Sequence, residues 1–369
     1  MPALLELARG REQLRRQLLR RIGYTQGLFD IFRFEELIDA VADRLPQPTA
    51  AVDAAIVSKF AMSASYSAGI RDVAIALGLF ARAGNRLTLG PHGRALLAIR
   101  RMHGPMSEAS RSLLLARVID ADGEYTLTLL TIDASQPIEH QGRELFAAAR
   151  SIINVKREWL SRSEPGIPIA RAVTEYLEEI ATTLESGRPQ GGRRRNASEI
   201  STATFRHTVN PRRGWLADLY LTPEPGRTAV VNALRRLGQR CDKEIVLGLS
   251  GLLRDRLHLS AFPVFDQDSL WHIAASVRSS LVAPDDEPPN VLEDMLACYE
   301  HVRLRRFNQA ETAAVFDYVA ARWAAAGYSL TQEHFVASLQ SAVGTDPGRI
   351  WILRARRGGP LAGNIGMRH

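Results

Sequence analysis

The sequence predicts a mainly α-helical protein of several domains, with small β-hairpins set between helices. Three observations point there. The chain has 369 residues, enough for two or three hydrophobic cores rather than one. Apolar residues recur at helical spacing along most of it. Two stretches interrupt that spacing, GLFARAGNRLTLGPHGRALLA at 78–98 and ESGRPQGGRRRNA at 185–197.

Composition narrows the class. Apolar residues make up 46% and charged residues 24%, ordinary values for a globular protein. No run approaches the roughly 18 apolar residues that span a bilayer. The opening MPALLELARGREQL lacks the layout of a secretory signal, so an intracellular, cytoplasmic protein without a membrane partner is expected. Cys241 and Cys298 are far apart and no CxxC pair exists, which speaks against a disulfide framework and a structural zinc site. The formal net charge is +7, and Lys59, Lys156 and Lys243 are the only lysines among 47 basic residues. A GC-rich coding sequence accounts for such an arginine excess. An arginine-heavy surface also suits phosphate and base-edge recognition, because the guanidinium fork binds bidentately.

The elements follow in order. Residues 1–48 read as a basic helical arm: a helix over 3–22 with Leu4, Leu7, Leu14, Leu18 and Ile22 on one side, then a short helix over 34–44 ahead of Pro46 and Pro48. Residues 49–104 form a module with helices over 51–61 and 69–77, the hairpin of the 78–98 stretch, and a helix that Pro91 opens at its first position. Residues 105–184 form a helical connecting domain whose first helix starts at Ser107-Glu108 and runs through 119, acid in its first turn. Residues 124–132 fit either a strand or a buried helix, and helices near 141–161 and 168–184 follow. Residues 185–197 have no apolar side chain before Ala197 and read as a flexible Gly/Arg linker. Residues 198–260 are a second helical module. Residues 261–369 are a C-terminal helical domain: an acidic, proline-rich loop at 284–290, helices near 291–302, 308–326 and 331–343, a strand-like 350–355 and a Gly/Arg-rich tail.

Helix, helix, helix and a two-stranded wing over residues 51–89 resemble a winged helix-turn-helix. The phrase from Leu77-Gly78-Leu79-Phe80 to Gly84-Asn85-Arg86-Leu87-Thr88-Leu89-Gly90-Pro91 is similar to the ending of such modules. There the recognition helix stops at a Leu-Gly-Leu, and the wing turns at a glycine. The resemblance implies that Ile70, Val73, Leu77 and Leu79 face a core while Arg71 and Asp72 point away. It implies also that Arg82 and Arg86 flank the wing turn, where they can touch phosphates while the helix enters the major groove.

A weaker second copy is suggested over 198–235. Asn210 reads as an N-cap, Pro211 as the first helical residue, and Arg212 and Arg213 as first-turn cations. Cations oppose the helix dipole there, and a bound phosphate would explain them. His207 neighbours that helix, and the Arg193, Arg194 and Arg195 run precedes it. Thr-Pro-Glu-Pro-Gly-Arg stands where the second wing belongs, a departure from the pattern.

Several enzyme classes fail on residues. No lysine follows a glycine, which excludes a P-loop. Val57, Asn154 and Cys241 stand two residues before the lysines, where a common metal-dependent nuclease core needs an acid. Asp-Ala-Asp-Gly-Glu at 120–124 starts like a calcium loop, but its glycine falls two steps early and Thr131 holds the closing position, so a turn is expected. Gly-Leu-Ser-Gly-Leu at 248–252 is not a nucleophile elbow. The nine histidines show no HExxH or paired zinc spacing. Asp266 and Asp268 read as helix-capping acids, and Trp271 as core. The expectation is a non-catalytic protein without cofactor or metal that binds double-stranded DNA through Arg71, Arg82, Arg86, Arg193, Arg194, Arg195, His207, Arg212 and Arg213. In architecture it resembles the DNA-recognition portions of bacterial restriction and anti-phage defence systems, an analogy that supports no activity. An adaptor subunit of an ATPase or nuclease complex, and a nuclease with a divergent site, are the alternatives.

Overall fold

The computed structural model describes residues 30–163, 202–222, 224–240, 267–304, 308–346, 350–354 and 360–367, with Ile22, Thr25 and Leu28. The helices expected over 3–22 and 168–184, the 185–197 linker and the three arginines in it lie outside these. What is described is mainly helical, with two three-stranded antiparallel sheets. The chain divides into two compact units, a larger one of residues 30–118, 217–230 and 265–369 and a smaller one of residues 1–29, 119–216 and 231–264.

The larger unit begins with α1, Arg33–Val41. Phe34, Leu37, Ile38 and Val41 recur at helical spacing and are all buried, which gives the helix one core face. Although residues 1–48 read as an arm, α1 packs against α2, Thr49–Phe60, and α4, Pro91–His103. Between α1 and α2 a two-residue strand, β1 (Gln47–Pro48), pairs with β3. Ala61, in the left-handed conformation at φ 51°, ends α2. After two more residues α3, Ala64–Ala76, begins, five positions ahead of the expected start. Then come β2, Phe80–Ala83, and β3, Arg86–Leu89, and the sheet order is β1-β3-β2. The hairpin over 78–98 is present, with Phe80 opposite Leu89 and Ala83 opposite Arg86.

The rest of this unit contains α9, Gln267–Leu281, α10, Val291–Val302, α11, Thr312–Ala325, and α12, Gln332–Thr345. Almost every side chain of α11 is buried, as befits a helix that α4, α9 and α10 all touch. Phe316 meets Trp271 and Phe335 edge to face, with centroids 6.4 and 5.3 Å away. The expected strand at 350–355 is β5, Ile350–Arg354. The tail departs from expectation: Gly363–Met367 is a strand, β6, at the centre of the second sheet between β5 and β4, Gln309–Glu311.

Asp294 lies in the first turn of α10, and its Oδ1 accepts from Arg322 Nε at 3.3 Å. Burial pushes its carboxyl above the usual range, against the pull of Arg322. A raised folded-state pKa means that ionisation costs stability as pH climbs through the window above the ordinary carboxylate value. Asp294→Asn is therefore expected to raise the thermal midpoint at pH 7 and to change it little near pH 3.5. A lower midpoint at pH 7 would show that the ion pair outweighs the burial.

In the smaller unit, α5 (Glu108–Leu129) enters from the larger one at Val118–Ile119. α5 settles residues 124–132 as helix down to Leu129 and corrects the turn expected at 120–124, which is mid-helix. Asp122, Glu124, Thr126 and Thr128 are buried there. Thr126 Oγ1 donates to Asp122 Oδ2 at 2.9 Å, and Thr128 Oγ1 to the Glu124 carbonyl. α6, Ile138–Ser163, α7, Thr202–Asp218, and α8, Gly226–Arg240, follow. Among the described residues no helix is long and apolar enough to cross a membrane.

Candidate nucleic-acid interface

The hairpin sits where it does because two helices and a turn meet backbone to backbone. Gly78 takes φ +72° after α3, and Leu79 N–H reaches back to the Ala74 carbonyl at 2.9 Å. The Leu79 carbonyl then accepts Gly90 N–H at 2.9 Å. A Cβ on Gly93 would lie 2.1 Å from that same oxygen, and one on Gly90 would lie 2.3 Å from the Gly78 carbonyl. The start of α4 thus presses on the entry to β2. At the far end the Asn85 carbonyl accepts Thr49 N–H at 3.2 Å and Thr49 Oγ1 at 3.1 Å. Both ends of the hairpin are held.

Beside this interlock, His92 anchors α4. Its Nδ1 meets the buried Asp317 carboxylate, and Arg117 Nη1 donates to its Nε2 at 2.9 Å. Arg117 Nη2 also donates to Gln267 Oε1 at 3.2 Å. An arginine cannot accept, so the ring carries its proton on Nδ1. Both ring nitrogens are occupied, which fixes the position of the ring.

The exposed surface here combines α3 and the hairpin. Ser63, Ser65, Tyr66 and Asp72 are exposed, as are Arg82, Asn85 and Arg86 on the hairpin and Lys59 at the end of α2. Arg71 does not point freely outward. Its side chain is 11% exposed, and it bonds Asp53 and Asp72. Nη1 donates to Asp53 Oδ2, Nε to Asp72 Oδ1 at 3.2 Å and Nη2 to the same oxygen at 3.1 Å. Arg82, 59% exposed, donates to that oxygen too, at 3.1 Å. One carboxylate therefore joins helix and hairpin. Burial pushes the Asp53 carboxyl above its usual range; Arg71 opposes the shift and Asp72 adds to it.

Of the residues singled out around 198–213, Arg212 and Arg213 are bonded within the smaller unit. Pro211 is the tenth residue of α7, so Asn210 is no N-cap and Arg212 and Arg213 are not in a first turn. Proline cannot donate to the carbonyl four residues back, and Thr25 Oγ1 donates to that His207 carbonyl at 2.6 Å. The His207 side chain is half-buried. Arg212 is fully buried. Its Nε and Nη2 hold Asp122 at 2.6 and 2.8 Å, Nη1 the Thr208 carbonyl at 2.7 Å, and Nη2 the Ile22 carbonyl. Tyr125 covers its face, 4.6 Å from the guanidinium carbon. Arg213 binds the Leu129 and Ile132 carbonyls at 2.9 Å each, and Gln141. A cation at the C-terminal end of α5 is favourable for its dipole. Neither guanidinium is available to a phosphate. The described residues after α7 form a turn into α8 and no hairpin, which corrects the second wing. Arg193, Arg194 and Arg195 lie outside the described residues.

Sequence reasoning missed Asp53 and Asp72 as partners and Tyr66 and Lys59 as exposed neighbours. The adjacent Arg71-Asp72 pair was the one available signal. No group of three or more His, Cys, Asp or Glu that could hold a metal occurs among the described residues. No family model matches the chain, and neither a curated protein nor a solved structure is detectably similar to it.

Proposed function

We propose that residues 31–104 form a winged helix-turn-helix that binds double-stranded DNA, with α3 as the recognition helix and β2–β3 as the wing. The observation that carries this is the element order α1-β1-α2-α3-β2-β3 with sheet order β1-β3-β2. It is supported by the exposed Ser63, Ser65 and Tyr66 at the start of α3, with Lys59, Arg82 and Arg86 as the cations on offer. Hydroxyl groups and cations of this kind contact phosphates and groove edges. The protein is then a non-catalytic DNA-recognition component of cytoplasmic origin, of the kind used in bacterial restriction and anti-phage defence.

One observation favours a protein partner instead: a single acid, Asp72, neutralises both Arg71 and Arg82, leaving few free cations on this face. Fluorescence anisotropy with a 25-base-pair duplex separates the two. DNA binding predicts an affinity that falls with salt, by about 0.9 log units per log unit of salt for each phosphate neutralised. Lys59→Glu with Arg86→Glu is expected to weaken binding and flatten that slope by about 2, with circular dichroism unchanged. Absence of wild-type binding at low salt sinks the DNA reading and leaves the adaptor reading in its place.

A further inference from the structure

The chemistry of α3 bears on which DNA this module takes. The helix reads ASYSAGIRDVAIA, and Arg71 is its one side chain able to make a bidentate donor contact to a base edge. It carries no lysine, asparagine, glutamine, glutamate or histidine. Yet Nε, Nη1 and Nη2 of Arg71 are all engaged by Asp53 and Asp72. Apart from Asp72, the exposed groups of the helix are small or bear a hydroxyl. Serine hydroxyls donate or accept with any base pair, and alanine meets only the thymine methyl. On the wing, Arg82 is drawn to Asp72, while Asn85 and Arg86 stand at the turn. A wing that reaches the minor groove there meets a nearly degenerate pattern.

We infer that the module grips duplex DNA by its sugar–phosphate backbone with little discrimination between sequences, and that Asp72 holds this affinity down by neutralising Arg71 and Arg82 together. The inference rests on the DNA reading above. Asp72 is also an exposed negative charge on the face offered to phosphates, so it repels as well as neutralises. Removing its charge leaves the Arg82 guanidinium unneutralised and Arg71 with Asp53 as its one charged partner. The isosteric amide keeps an oxygen to accept from both arginines, so the wing stays placed.

The test uses the full chain, with anisotropy on random, A·T-only and G·C-only duplexes and a selection from a randomised duplex library. Wild-type affinities are expected to agree within about tenfold, whereas a specific binder separates its site from others by roughly a thousandfold or more. Asp72→Asn is expected to tighten binding to all three duplexes by a similar factor, on the order of tenfold, and to steepen the salt slope by about 1. Asp72→Ala, which also removes the acceptor, should show the same direction. A library that converges on one motif bound a hundredfold above random overturns the inference while leaving DNA binding intact. So does an Asp72→Asn protein that binds no tighter than wild type. Failure of both proteins to bind any duplex at low salt overturns the DNA reading, and the inference with it.

Discussion

Arg212→Ala is expected to cost about 3–5 kcal/mol, because it strands the Asp122 carboxylate in the core without its cation. Both side chains are fully buried. Asp122 would keep Ile22 N–H at 2.6 Å and Thr126 Oγ1 at 2.9 Å, too little to offset an uncompensated buried charge. The Thr208 and Ile22 carbonyls lose their donor in the same step. Against a total stability of ~5–15 kcal/mol for a domain, the loss is large. Arg212→Lys should not rescue it: one ammonium cannot span the carboxylate and two carbonyls that the fork reaches. Urea denaturation followed by tryptophan fluorescence checks this, since Trp215 lies in the same unit and donates Nε1–H to the Leu28 carbonyl at 2.7 Å. A shift below 1 kcal/mol, accompanied by a flatter DNA salt slope, would instead return Arg212 to the surface.

That expectation reverses what the residue suggested in the sequence, and the reason is physical. Asn-Pro-Arg-Arg looked like a helix start because proline is favoured at the first helical position. A proline inside a helix is tolerated only when the orphaned carbonyl finds another donor, and the donor here, Thr25, is 182 positions away. No local pattern announces such a partner. Asp53 under Arg71 is the same kind of blind spot at shorter range, 18 positions. The run Thr-Leu-Thr-Leu-Leu-Thr was ambiguous because alternation of threonine and leucine mimics a strand. Burial on every side of α5 makes both residue types acceptable in a helix, and Thr128 satisfies its hydroxyl on the carbonyl four residues back. β6 was unreadable from Gly-Asn-Ile-Gly-Met, since glycine and asparagine disfavour strands. It forms because β4 and β5 pair with it on both edges. By contrast the first hairpin was legible: two short strands, a glycine turn between them and a proline opening the next helix are all local signals. Local signals carried the hairpin, and ion pairs between residues distant in sequence, Arg71 with Asp53 and Arg212 with Asp122, were out of their reach.

The glycines of that hairpin differ in what they resist, and a conservative substitution separates them. Gly93→Ala places a Cβ 2.1 Å from the Leu79 carbonyl oxygen and 3.0 Å from its carbon. Both obstacles are backbone, and neither can swing aside as a side-chain end can. The oxygen is also fixed by Gly90 N–H, so α4 must lift or β2 must shift at its first residue. Overpacking of this kind costs about 1–3 kcal/mol, and more where nothing relaxes. Gly84→Ala meets nothing within 4 Å at the wing tip, though its φ of +64° adds strain, worth about 1 kcal/mol. Gly93→Ala is therefore expected to lower the denaturation midpoint of the larger unit well beyond Gly84→Ala. It should also weaken duplex binding under conditions where the protein stays folded, because the wing pivots on the strand that moves. Gly84→Ala should leave affinity near wild type. Equal losses from the two alanines would mean that backbone conformation, and not the contact between α4 and the Leu79 carbonyl, sets the position of the wing.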